Sequence, residues 1–302
     1  MAPSFQPLPG VYEASAIRQL PDGRLLVVED EQDHAFSLVE FDQAGAPLTR
    51  PLRPGFWQRF TDFGSLDDLE GLALDRAGFI YAITSHSRDD KGNPRAARER
   101  LVRFRVEGDA VVDPRVVGSL KRALVDRHPV LAAAARLRDV KRGGGLNIEA
   151  LEVTPDGQLL LGFRSPLQDG RALVATVENA GPMFDHGEAP RVSSHLQSLD
   201  LGGNGIRALA YFASLGAYLL ASGPVAQRGA FGLWSWSGEP GGAVRRVTVD
   251  GLPDFARAEG ICSAVIDGAE RILIVSDDGD RKSVRAARYL LLDPAQLRVT
   301  DE

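Results

Sequence analysis

Short apolar runs alternate with tight polar turns along this chain, and the alternation recurs. Leu72-Ala73-Leu74 gives way to Asp75-Arg76-Ala77-Gly78 and then to Phe79-Ile80-Tyr81-Ala82-Ile83. The same order of run, turn and run is written around Pro21-Asp22-Gly23, Pro155-Asp156-Gly157, Ser214-Leu215-Gly216 and Asp267-Gly268. Runs this short, joined by such turns, are hairpin signals. A third apolar segment follows each hairpin, at Ala35–Phe41, Arg100–Val106, Ala172–Glu178, Phe231–Trp236 and Ala287–Leu292. A fourth is readable at Val111–Val117, Val192–Leu199 and Val244–Val249. Four antiparallel strands, repeated five times, predict an all-β chain folded as a five-bladed β-propeller. Ser4–Leu8 and Leu297–Thr300 are both able to supply the last outer strand, and the pattern does not choose between them.

Each repeat opens on a charged residue, then a small one, then the apolar run. The anchors are Glu13, Glu70, Glu149, Arg207 and Glu259, spaced by 57, 79, 58 and 52 residues. The long interval holds the segment that breaks the β pattern. Ser119–Arg138 is rich in strong helix formers, and Pro129 suits a helix's first turn, so two short helices are expected there. They end at the flexible run Lys141-Arg142-Gly143-Gly144-Gly145. The expectation is one domain over residues 1–302, with a helical insertion over 119–145 between the second and third blades.

Composition narrows the function. The 302 residues are 44% hydrophobic and 25% charged, which supports a packed core rather than disorder. A formal net charge of −6 argues against nucleic acid as a partner, because phosphate binding wants a basic face. The single cysteine, Cys262, excludes an intramolecular disulfide and a cysteine zinc cluster, and its apolar strand suits a buried small hydrophobe. No apolar run is long enough to span a bilayer, and the amino terminus lacks the basic-then-apolar order of a signal peptide. No membrane partner and a cytoplasmic location are therefore expected.

Propeller geometry gives the anchors their meaning. The first strand of each blade lines the central channel, so residues at its start and at the end of the second strand meet at one mouth. Glu13, Glu70, Glu149 and Glu259 gathered there would repel one another, which raises carboxyl pKa values or recruits a cation. Carboxylates with nearby hydroxyl or amide oxygens suit calcium or magnesium. Arg164 and Arg207 would instead neutralise the ring directly, or hold an anionic substrate. His86 is a candidate acid–base group, with a hydrogen-bonded loop histidine as the plainer reading. A solvated ion-pair belt around a water-filled channel explains the same residues without chemistry. His34 and His128 read as surface loop residues, and His186 and His195 carry no pattern. Asp278–Asp280 has part of a calcium loop but reads better as a turn, and Gly143-Gly144-Gly145 lacks the lysine and hydroxyl of a phosphate loop. One ring of Trp234-Ser235-Trp236 is expected to pack between blades. No Gly-x-Ser-x-Gly elbow is present.

Glu13-Ala14-Ser15-Ala16, Asp68-Leu69-Glu70-Gly71, Thr84-Ser85-His86-Ser87-Arg88, Asn147-Ile148-Glu149-Ala150, Glu259-Gly260 and Ser276-Asp277-Asp278-Gly279, in that order, resemble a bacterial domain-of-unknown-function family. That family brings no activity. More distantly, the Glu-Gly openings are similar to those of esterase-like phytases and gluconolactonase-type calcium propellers, and five-bladed calcium-dependent apyrases likewise gather one residue per blade around a metal. These resemblances imply a calcium- or magnesium-assisted hydrolase of a small anionic ester, lactone or phosphoester. In that account Glu13, Glu70, Glu149 and Glu259 hold the ion, Arg164 and Arg207 orient the anion, and His86 moves the proton. The alternative is a non-catalytic propeller that binds a ligand or a protein at the same mouth. Arg207 departs from a pure ring of carboxylates.

Overall fold

The computed structural model describes residues 3–30, 35–52, 55, 61–138, 144–226, 229–255 and 257–300. His34 and residues 141–143 lie outside them. The first strand, β1 (Gln6–Leu8), finds its partner only at the far end of the chain. Blade one is β2 (Ala14–Gln19), β3 (Leu25–Glu29), β4 (Phe36–Phe41) and β5 (Pro47–Pro51). Blade two is β6 (Leu69–Leu74), β7 (Ile80–Thr84), β8 (Leu101–Glu107) and β9 (Ala110–Val117). Helices α1 (Leu120–Arg127) and α2 (Pro129–Arg136) follow, with Pro129 in the first turn as the sequence predicts.

Blade three is β10 (Asn147–Val153), β11 (Leu159–Ser165), β12 (Ala172–Val177) and β13 (Gln197–Leu199). Helix α3 (Ala180–Asp185), which the apolar pattern did not announce, interrupts it before β13. Blade four is β14 (Gly205–Phe212), β15 (Ala217–Gly223), β16 (Gly232–Trp236) and β17 (Val244–Val249). Blade five is β18 (Ala258–Ile266), β19 (Ala269–Ser276) and β20 (Ala287–Leu292). The protein is thus a five-bladed β-propeller of antiparallel blades.

Both terminal strands are used, in different places. β1 completes blade five by pairing Gln6 with Tyr289 and Leu8 with Ala287. β21 (Leu297–Thr300) adds a fifth strand to blade four, pairing Arg246 with Thr300. Closing the ring with the N-terminal segment couples the two ends of the chain through one sheet. β5 begins and ends on proline, which only an outer edge tolerates because proline cannot donate to a ladder.

The core is divided as the fold requires. Five apolar clusters of buried residues lie between successive blades, and the inner strands β2, β6, β10, β14 and β18 touch in a closed ring. Leu120, Leu124 and Leu131 from the helical insertion are buried in the cluster between blades two and three. Each such leucine contributes roughly 1.5–3 kcal/mol, so the insertion is fastened down. Trp236 is buried in the cluster between blades three and four, whereas Trp234 is only partly buried and donates its Nε1–H to Ser222 Oγ at 2.8 Å. Cys262 is fully buried, and desolvation pushes its thiol up to about 12. His128 is not on the surface as expected: it is 5% exposed, at the position just before α2. No helix among the described residues is long and apolar enough to cross a membrane.

Candidate functional site at the channel mouth

Every inner strand carries one β-bulge near its start. The register slips between Ala14 and Ala16, Leu69 and Gly71, Ile148 and Ala150, Ile206 and Ala208, and Ala258 and Gly260. The extra residues are therefore Ser15, Glu70, Glu149, Arg207 and Glu259. A bulge leaves one residue out of the ladder and re-aims its side chain. Here all five line one cup of about 700 Å³. The small residue after each bulge also has a cause, because the inner strands run close together there. A Cβ on Gly260 would lie 2.9 Å from Ala16 Cα, and one on Gly71 would lie 2.8 Å from Leu151 Cβ.

Blade one differs from the sequence expectation. Its bulged residue is Ser15, two positions after Glu13, so a serine stands where the other repeats place a charged side chain. The expected four-glutamate cage is absent for a second reason. Glu149 accepts from Arg164 Nη1 at 3.0 Å through one oxygen and from Arg207 Nη1 through the other. Arg207 Nη1 also sits 3.0 Å from Glu259 Oε1. The wall is an arginine–carboxylate chain running across blades three, four and five. Among the described residues no group of three or more histidine, cysteine, aspartate or glutamate side chains is arranged to hold a metal. The four-glutamate set therefore does not fit calcium or magnesium as it stands, because arginines hold Glu149 and one oxygen of Glu259 and a serine stands at the blade-one bulge.

Arg164 also donates to Val225 O at 3.3 Å, and the Arg207 guanidinium lies 5.6 Å from the Phe231 ring centroid. Burial works to lower the Arg207 pKa, but Glu149 and Glu259 prevail and raise it, so it stays charged. Deeper in the channel, three residues beyond two of the bulges, Arg18 Nη2 meets Glu152 Oε2 at 2.8 Å with both side chains buried. This pair joins blades one and three.

The opposite wall holds carboxyls that the repeat anchors did not mark. Asp30 follows β3 and lines the cup together with Asp68. Burial first, and then the neighbouring Asp68 charge, push Asp30 up to about 8. Asp68 accepts from Ser85 Oγ, from Ser87 Oγ at 3.2 Å and from Arg98 Nη1 at 3.1 Å. Its φ of 65° is left-handed, a strained conformation that concentrates at functional sites. Glu70 is raised well above the ordinary range by burial, then by Glu149, Asp68 and Asp30. Burial likewise raises Glu259 despite Arg207, and Asp277 despite Arg257. Asp30 is therefore protonated at neutral pH.

His86 is placed elsewhere. Ser85 and Ser87 turn to Asp68, while His86 between them, with φ of 57°, turns its Nδ1 to Thr84 O at 2.8 Å. A carbonyl only accepts, so Nδ1 carries the hydrogen and Nε2 is bare. His86 is fully buried and Nε2 has no partner among the described residues. Desolvation holds it down at about 4, with Lys121, Glu99 and Arg100 as its charged neighbours. It does not line the cup.

The rim is basic. Arg88, Lys91 and Arg138 line it, from the loop after blade two's second strand and from the chain just beyond α2. Arg88 Nε donates to Ala135 O at 3.2 Å and Nη1 to Gly92 O at 3.1 Å, so loop and helix are tied together there. The loop over 279–285 does not line the cup; Arg281 from it reaches Glu29 at 3.0 Å and stacks on Tyr12. Asp280 there caps an ordinary turn by accepting from Lys282 N at 2.9 Å.

No family model matches the chain. No curated protein matches it either. Among solved structures, the PQQ-bound aldose sugar dehydrogenase of Streptomyces coelicolor is 16% identical, with a TM-score of 0.45 over 96% of this chain and 98% of that one. A gluconolactonase from Xanthomonas campestris is 12% identical, with a TM-score of 0.42 over 99% and 86%. The β-propeller domain of Cps50 (Swd1) from Myceliophteria thermophila is 12% identical, with a TM-score of 0.46 over 96% and 99%. Likenesses at this level carry nothing about chemistry.

Proposed function

We propose that the protein hydrolyses a small ester or lactone bearing an anionic group, in the cup at the channel mouth, with Asp30 and Asp68 as its acid–base pair. The placing of Asp30 and Asp68 together in the lining of the cup carries this reading. Burial and the nearby Asp68 charge push Asp30 up to about 8, so it carries a proton at neutral pH, while Asp68 accepts from Ser87 Oγ and Arg98 Nη1. Asp68 is then placed to accept a proton and Asp30 to give one, in the same cup.

The step balances without a metal. As a water oxygen bonds to the substrate carbonyl carbon, the water proton passes to Asp68 and the Asp30 proton passes to the carbonyl oxygen. The tetrahedral intermediate then breaks its bond to the leaving oxygen. Asp68 returns its proton to that oxygen, and the intermediate's hydroxyl returns one to Asp30. A free acid and an alcohol leave, or a hydroxy acid when a lactone opens. Ester and lactone carbonyls suit this pair better than phosphoesters, whose three phosphoryl oxygens call for several converging cations. Arg164 and Arg207 act here as the wall that neutralises Glu149.

The test is turnover of an ester and lactone panel with a chelator present, by wild type and by Asp68→Asn. Hydrolysis by wild type that is lost in the folded variant supports the reading. No turnover by wild type sinks it and leaves the non-catalytic binding propeller in its place.

A further inference from the structure

Asn147 opens the inner strand of blade three and is 7% exposed. Its Nδ2 donates to Glu149 Oε1 at 2.8 Å, which fixes the amide, since a flip would set Oδ1 against a carboxylate. Oδ1 is then a buried acceptor in the cup wall with no partner among the described residues. An acceptor buried in this way without a donor is costly, and a ligand hydroxyl would relieve it. Two further groups in the same cup can bond hydroxyls: Ser15 on the blade-one bulge, 6% exposed, and Glu70 on the blade-two bulge. Neither wall offers an apolar surface for a hydrocarbon substrate.

The rim makes a different demand. Arg88 is clamped by two backbone carbonyls, which fix its position without cancelling its charge. Lys91 and Arg138 bring further positive charge to the same rim, where Asp89 and Asp90 also lie and Asp89 is turned to the backbone N–H groups of Lys91 and Asn93. A fixed guanidinium is a ready seat for a carboxylate or phosphate.

Resting on the hydrolytic reading of this cup, we propose that its ligand is a polyhydroxylated anion, with hydroxyl groups on Ser15, Glu70 and Asn147 and its anionic group on Arg88. The floor reads the hydroxyls, and the rim reads the charge.

Binding tests this apart from turnover. Isothermal titration would use gluconate, glucose 6-phosphate, glucose, inorganic phosphate and calcium chloride, each with wild type, Asn147→Ala and Arg88→Gln. Gluconate or glucose 6-phosphate is expected to bind, with the other of the pair weaker, which tells a carboxylate seat from a phosphate seat. Glucose and inorganic phosphate alone are expected to bind at least about tenfold more weakly than the better of the two. Each variant should lose about tenfold for that probe, and Arg88→Gln at the rim guards against a folding defect in Asn147→Ala. The proposal is overturned if neither sugar anion binds, if glucose matches its phosphate, or if calcium alone binds and Asn147→Ala abolishes it. Ester or lactone turnover without sugar-anion binding would overturn this inference and leave the hydrolytic reading standing.

Discussion

Arg207 and Glu149 stand 58 residues apart in sequence, yet their side chains form a direct ion pair with 9% and 2% exposure. Both sit on β-bulges of adjacent blades, and Glu149 takes Arg164 on its other oxygen. Removing Glu149 takes a carboxylate from two arginines and leaves Arg207 with Glu259 alone. Glu149→Ala is expected to cost about 3–5 kcal/mol in urea unfolding, the usual loss when one partner of a buried pair is deleted. Glu149→Leu with Arg207→Leu should recover little of that, since Arg164 and Glu259 each then lose their partner. A single-variant loss below about 1 kcal/mol, the range of exposed pairs, would show that the wall is solvated.

The glycine after a bulge is a packing requirement. In an ordinary strand Gly→Ala gains roughly 0.5–1 kcal/mol. Gly260→Ala would place a methyl 2.9 Å from Ala16 Cα, against backbone that cannot move alone. The sign should reverse to a loss of about 1–3 kcal/mol. Thermal denaturation of Gly260→Ala decides it, and a gain in melting temperature would show that the blades are not in close contact there.

Stability should fall as pH rises through the neutral range. Asp30 goes from an ordinary 3.8 to about 8 on folding, and Glu70, Glu259 and Asp277 are raised as well. Between the unfolded and folded values the native state holds more protons than the unfolded one. For Asp30, stability is complete below about pH 4, declines toward about pH 8 and is level beyond. Asp30→Asn removes this slope, so its melting temperature should exceed wild type at pH 8 and match it near pH 4. A variant that melts lower at pH 8 would contradict the proton on Asp30.

His86 has the opposite sign. Held at about 4 when folded, against 6.5 ordinarily, it stays neutral while the unfolded state gains a proton, so its contribution is lost as pH falls from about 6.5 to about 4. Its ring resonance in NMR should not titrate above about pH 5. His86→Asn tolerates the positive φ and should lower the melting temperature while leaving binding of a cup ligand intact. Titration near pH 6.5, or loss of binding in that variant, would return His86 to the cup.

Blade number, strand order and the insertion were legible because each depends on local pattern, turn chemistry and helix propensity. Ring closure was not, because the segments at both ends carry the same alternation and only tertiary pairing separates β1 from β21. Glu70, Glu149, Arg207 and Glu259 were legible as recurring charges, but their bulges were not. The slip in register is what moves blade one's position from Glu13 to Ser15. Asp30 and Asp68 belong to different blades and meet only when the ring forms, so no spacing announced them as a pair. His86 was misleading because its neighbours Ser85 and Ser87 take the opposite side of the chain.

The pH dependence of kcat/KM on an ester or lactone substrate, measured in chelator for wild type and Asp30→Asn, tests the central claim most directly. The account predicts activity that falls with an apparent pKa near 8, where Asp30 loses its proton, and a large loss in the variant at every pH. A variant that keeps the wild-type rate, or activity that appears only when calcium or magnesium is restored, would contradict it.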